Sequence, residues 1–362
     1  MVEATDSISG VSTATGNAYS SSADGRDVDM RSNQSLQGAV SADTRLDVHS
    51  NAGLSTSLST AATGNTGDAA VAGATMTGVY TQTTGAVSIY GHSHIEAPDA
   101  VAGDVTSSAQ AVGNSQGIAA SYASVGARVN QTNAAEVKSD GGGVIGQTTG
   151  STVFAATSTA NNVTGSGSNS AAERMIVTQR NTAALTQAGQ FTAFGNSYLA
   201  TTQATATGNN ISATNDGPLL DLTANQTNQA YLRAQSESSS YLFSSGQANA
   251  YGIGNSVLAG DLNGELVLDN TQLNEGGGVD VVASYTGDQG YDAQASATAI
   301  GNAATGYACG ECSGMTVNSR QTNTADVGSS STVTVNGYAR SVSGVATAVG
   351  NTATYYVTRT SQ

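Results

Sequence analysis

Tryptophan is missing from this 362-residue chain, and phenylalanine occurs only 4 times. Leu, Ile and Met are sparse as well, which excludes a thick core built from large side chains. Proline occurs twice and lysine once, at Lys138, so the Pro- and Lys-rich composition of ordinary disordered chains is absent. Charged residues make up 10 % of the chain, against about 25 % in an average soluble domain. Three His and two Cys leave little material for acid–base or nucleophilic chemistry, and the composition reads as non-enzymatic, with no cofactor and no metal. A formal charge of −15 with few Lys and Arg excludes nucleic acid, whose phosphates need cations to displace their counterions. No apolar run approaches the roughly 20 residues that a membrane-spanning helix needs. Nor does Met1-Val2-Glu3-Ala4-Thr5-Asp6 open a signal peptide, which wants a basic start and an apolar stretch.

What is present is a repeat. Gly-Asn recurs at Asn17, Asn65, Asn114, Asn209, Asn255, Asn302 and Asn351, and Ala160-Asn161 fills the one gap. A second series, Gln34, Gln82, Gln131, Gln179, Gln226, Gln272 and Gln321, keeps the same period of 46 to 49 residues. Small residues alternate before Gly-Asn, as in Ala297, Ala299 and Gly301. After Gln comes Gln-x-Asn-x-Ala-x-Val/Leu, which adds Asn133, Asn181, Asn228 and Asn323; Asn274 follows Gln272 in a degenerate copy. Alternation of this kind is strand-like, because successive side chains of a strand point to opposite faces. Gly, Asn and β-branched residues disfavour helix throughout. The fold class is therefore all-β, a β-solenoid (β-helix) of 48-residue repeats.

Residues 1–362 read as one domain, with 1–10 and 357–362 as short tails. The two marks lie half a period apart, which favours two rungs of about 24 residues per repeat and a thin rod of about 70 Å. A single 48-residue rung is the alternative and would halve that length. The Gly-Asn positions read as turns, whereas the Gln-x-Asn positions read as amide ladders in which each amide donates to one neighbour and accepts from another.

Several clusters invite chemistry. His92, His94 and Glu96 alternate on one strand face with zinc- or copper-like spacing, but occur once and read as a solvated loop insertion. Asp24, Asp27 and Asp29, and Asp261, Asn263 and Glu265, offer hard oxygens without matching a known calcium loop. Cys309-Gly310-Glu311-Cys312 reads as a local disulfide outside the cell, with a reduced pair as the alternative. Tyr198 and Tyr291 each lie 11 residues before a repeat Asn and can present rings to sugars; ordinary strand packing is the simpler reading.

Gln-x-Asn-x-Ala repeats in a Gly, Asn, Ser and Ala background resemble curlin-type secreted β-solenoids, whose repeats build amyloid-like extracellular fibres. The doubled period, acidic balance and Gly-Asn series are most similar to the holdfast anchor protein D family of stalked bacteria. Ala297-Thr298-Ala299-Ile300-Gly301-Asn302 is also similar to trimeric autotransporter heads, which run on a shorter period. The holdfast resemblance implies a secreted, outer-membrane-associated surface protein that helps anchor an adhesive polysaccharide. It further implies other surface-anchor proteins and a curli-like secretion pore as partners, with Met1 standing in for a removed leader. The last residues, from Tyr355 to Thr360, read as one more strand, and unblunted ends predict head-to-tail filaments of the chain with itself. The competing reading is a solenoid that binds or degrades surface glycans. Such an enzyme would interrupt its repeats with clustered Asp, Glu, Lys or Arg, and the sequence has no such interruption.

Overall fold

The computed structural model describes residues 2–4, 6–310 and 314–358. A central repeat runs through a long strand Leu185–Asn215, a turn, a short strand Leu219–Asn228, a second turn, and the next long strand Tyr231–Asp261; towards both ends the long strand is divided in two, as into Val40–Ala52 and Ser55–Ala72. Every pairing is parallel. Gln179 pairs with Gln226, and Asn209 with Asn255, so each strand lies on its counterpart one whole period away. The two-rung expectation is thereby corrected: among the described residues no strand pairs at half a period. A rung is the full repeat, and eight rungs stacked at ~4.8 Å give a rod of about 40 Å.

The reason lies in how the rung folds. Each long strand is interrupted in its middle, and pairing skips at Thr148/Ser151 and at Gly287/Gln289. Bulges of this kind bend a strand. The bend divides it into a narrow arm, such as 231–242, and a wide side, such as 245–261. The wide side faces both its own narrow arm and the short Gln strand. Thr202 Oγ1 on the wide side lies 2.9 Å from Ser236 Oγ on a narrow arm, and Asn209 Nδ2 donates to the Thr227 carbonyl at 2.9 Å. The half-period thus takes the chain back across the rung rather than up the rod. A flat rung needs few large side chains, because its two layers are only one sheet-to-sheet distance apart, about 10 Å.

Two apolar lobes fill that space. One lies between the Gln strands and the wide sides and holds Met76, Tyr80, Met175, Leu220, Leu222 and Ile211. The other lies between narrow arms and wide sides and is mostly Ala, with Leu232, Val279 and Val281. Alternation along each strand puts these residues inside and most charged residues outside, while Ser and Thr serve on both faces, as Thr202 and Ser236 do inside. Ser7 to Gly10 of the expected N-terminal tail lie within Ser7–Asp24 and pair with residues 55–58, so they belong to the first rung. At the other end Val357 and Thr358 close Ser341–Thr358; Arg359 and Thr360 lie outside the described residues.

Candidate functional site: amide ladders, open ends and a tyrosine groove

The two repeat marks meet in the middle of the flat rung. Asn17 Nδ2 donates to Asn65 Oδ1 at 2.8 Å, and the series continues through Asn114, Asn161, Asn209, Asn255 and Asn302 to Asn351. These asparagines sit within strands, and Asn65 through Asn302 are fully buried. The expected turn at these positions is therefore corrected. Asn is used for its amide, and its second N–H reaches a Gln-strand carbonyl, as from Asn65 to Thr83 at 3.1 Å. The preceding glycine is there because rungs approach closely. A Cβ on Gly64 would stand 2.5 Å from the Gly113 carbonyl oxygen, and one on Gly254 2.5 Å from that of Gly301. Neither glycine needs a positive φ.

The Gln series runs the opposite way. Gln82 Nε2 donates to Gln34 Oε1 at 2.8 Å, and each later Gln donates back to its predecessor as far as Gln321. Each Nε2 also reaches a wide-side carbonyl, as from Gln226 to Ser256 at 2.9 Å. A third column, Asn133, Asn181, Asn228, Asn274 and Asn323, donates forward at 2.7–3.0 Å. Three parallel amide columns thus form a polar partition between the apolar lobes. At about 0.5–1.5 kcal/mol net per hydrogen bond, their weight comes from repetition.

The strands of both end rungs carry a neighbour on one face only. Among the described residues Ser7–Asp24 pairs only with Ser55–Ala72, and Ser341–Thr358 only with Val279–Cys309. On Ser341–Thr358 even the alternate positions that are buried elsewhere, such as Ala346 and Ala348, are exposed.

A concavity of the lateral surface lies at the bend between narrow arm and wide side. It is a groove of about 560 Å³ walled by Tyr198, Tyr291, Tyr338, Asn196 and Gln289. Running up the rungs, one column reads Tyr198, Ser244, Tyr291, Arg340. Small Ser244 between two ring-bearing rungs leaves a slot, with the rings two rungs or about 10 Å apart. Tyr198 is 60 % exposed and Tyr291 54 %, so their ring faces are open to a ligand. Arg340 closes one end, paired with Asp292 and with its guanidinium 5.6 Å from the Tyr291 ring centre.

The remaining sequence candidates are separate from this groove. His92 and His94 lie in strand Ser88–Ala102, not in a loop insertion as expected, and each imidazole meets a carboxylate. His92 Nδ1 is 2.6 Å from Asp43, and His94 Nε2 is 3.1 Å from Glu96, while the Tyr90, His92 and His94 rings stack about 6 Å apart. The strand runs on through them because residues 89–96 pair on both sides, with 137–144 and with 40–47. Asp27 accepts the Thr75 N–H at 2.8 Å, and Asp29 faces Arg31. Cys312 lies outside the described residues, as does any pairing with it; Cys309 Sγ accepts from Thr358 Oγ1 at 3.1 Å. Among the described residues no group of three His, Cys, Asp or Glu side chains converges as a metal centre would. Sequence reasoning missed Tyr338, which the bulge brings beside Gln289, and Glu173, a buried carboxyl outside the repeat pattern.

All-β parallel stacking, with the interior partitioned by amide columns, defines a β-solenoid. The model of the holdfast attachment protein D family, HfaD, matches residues 2–278, and the chain belongs to that family. Membership implies a holdfast-attachment role, a structural one, and a place at the cell surface. No curated protein and no solved structure matches the chain. Among the described residues no helix is long and apolar enough to cross a membrane.

Proposed function

We propose that the chain is a non-catalytic rod that adds end to end into amyloid-like filaments and holds an adhesive polysaccharide at the outer surface. The observation that carries this reading is the polarity of the ladders. The first rung offers Asn17 Oδ1 as an acceptor and a spare Gln34 N–H as a donor. The last offers the Asn351 amide N–H as a donor and Gln321 Oε1 as an acceptor. These two faces complement one another head to tail, whereas two first rungs would set Asn17 oxygens against each other. Two ladders continue across such a joint. The third does not, since Leu36 occupies its column in the first rung. A heterologous contact that does not close propagates as a filament.

The tyrosine groove supports the polysaccharide half of the reading. Flat rings two rungs apart, with amide and hydroxyl groups between them, suit the apolar faces and hydroxyl rims of a pyranose chain. Partner anchor proteins and a curli-like outer-membrane pore complete the proposed setting.

Asn351→Asp tests the joint. The aspartate keeps the oxygen that receives the Asn302 hydrogen bond and lacks the N–H that would enter the next molecule. Negative-stain micrographs at physiological salt are expected to show filaments for the parent chain and single rods for the variant. A parent that stays single at high concentration, or a variant that assembles as well as the parent, overturns the proposal. For the groove, Tyr198→Ala with Tyr291→Ala is expected to weaken retention of purified holdfast polysaccharide by about tenfold at an unchanged melting temperature. Equal retention by parent and variant removes the groove from the function.

A further inference from the structure

Near the turns that join wide sides to Gln strands, the apolar lobe contains a knot of oxygens. Glu173 occupies a column whose other members include Val125, Leu220 and Leu266, and it is fully buried. Neither of its carboxylate oxygens has a hydrogen-bond partner among the described residues. The Asn215 Oδ1, also buried, has none either. Both side chains converge on Gly167. The point where a Cβ would stand there is 1.9 Å from Asn215 Oδ1 and 3.2 Å from Glu173 Cδ. Fully buried Asp261 adjoins them, receiving the Asn215 amide at 3.2 Å and the backbone N–H groups of Asn263 and Gly264 at 3.1 and 2.5 Å. At the rim Asn263 donates to Asp216. Among the described residues no cation balances these groups: Arg174, next in sequence, points outward to Asp221 at 2.7 Å.

Three buried oxygens without a donor, both of Glu173 and the Oδ1 of Asn215, lie beside the Asp261 carboxylate and call for an occupant that supplies positive charge. We propose that Glu173, Asn215 and Asp261 form a calcium site that ties two successive wide sides to a Gln strand, with Asp216 at its entrance. The donors are hard carboxylate and amide oxygens, the set that calcium takes from a protein, whereas magnesium dehydrates reluctantly and keeps several waters. Gly167 lets the Asn215 and Glu173 side chains come together, because a Cβ there would collide with Asn215 Oδ1. In the absence of a cation, burial first and then the charge of Asp261 push the Glu173 carboxyl up to about 7. A carboxyl raised in the folded state is protonated more readily there than in the unfolded chain. Metal-free stability therefore falls as pH rises from the ordinary carboxylate range to about 7, and calcium has most to restore above that. The site does not depend on the filament or polysaccharide readings.

The test uses the full chain, stripped with a chelator and titrated with calcium at pH 8 by calorimetry and thermal melting. One ion per chain is expected, with a rise in melting temperature of roughly 2–4 °C at millimolar calcium. Glu173→Gln is expected to weaken binding at least tenfold, while Asp29→Asn, in the exposed acidic cluster, leaves it unchanged. Two results overturn the proposal. One is no calcium heat together with a Glu173→Gln variant that melts above the parent, which identifies the occupant as a proton. The other is calcium binding that survives Glu173→Gln, which places the ion elsewhere.

Discussion

Replacing both Gln179 and Gln226 with leucine is expected to lower the melting temperature by about 5 °C, whereas the same change at Gln147 and Gln203 moves it by no more than about 1 °C. The first pair is buried in the amide column and the second lies on the surface. Leucine at the first pair takes the amide donors from Gln131 Oε1 and from the carbonyls of Asn210 and Ser256, and leaves Gln272 Nε2 with only one of its two acceptors, the Ala303 carbonyl. Each buried group left unsatisfied costs about 1–3 kcal/mol. Added apolar burial offsets part of this, for a net loss of about 3–6 kcal/mol. Thermal unfolding followed by circular dichroism provides the comparison. Equal losses for the two pairs would remove the ladder from the account of stability.

Gly254→Val is expected to cost about 3 kcal/mol, near the upper end for overpacking, because the atoms it meets cannot give way. Its Cβ would lie 2.5 Å from the Gly301 carbonyl oxygen and 2.6 Å from Asn274 Oδ1. One is the backbone of the next rung and the other an amide held in a ladder. Relief requires the rungs to part where all three columns meet. Gly126→Val is the control, since nothing lies within 4 Å of its Cβ position and the residue sits on an exposed strand face. There a β-branched residue replaces an entropically costly glycine, and stability is expected to hold or rise. Urea midpoints separate the two. A loss at Gly254 no greater than at Gly126 would mean that the rungs stand further apart than described. Ala160, the natural exception in the series, shows that a single methyl in one rung is accommodated.

The period, the strands and the positions of the Gln and Asn columns were legible because identical residues recur at one spacing, and residues one period apart become stacked neighbours. The role of Gly-Asn was not. As a dipeptide it is a strong turn signal, and only the carbonyl of a glycine one rung away, as Gly113 is to Gly64, explains the glycine in a strand. The half-period spacing of the marks was real but was assigned to the wrong direction. Asn209 and Thr227 face each other across one flat rung instead of stacking in one sheet. Ladder polarity depends on which amide end donates, and side-chain identity carries no trace of that. Tyr198 and Tyr291 were visible through their shared offset from a repeat Asn. Tyr338 enters the groove through a bulge that shifts register, and Glu173 occurs once, so neither left a periodic signal.

The most direct test of the whole-repeat rung is a cryo-electron microscopy reconstruction of the parent chain, as rods or as filaments. The expected result is about 40 Å of axial length per molecule, with each ~4.8 Å layer containing one Gly-Asn and one Gln-x-Asn mark facing each other across it. A molecule about twice as long, in which the two marks alternate up a single sheet, would contradict it.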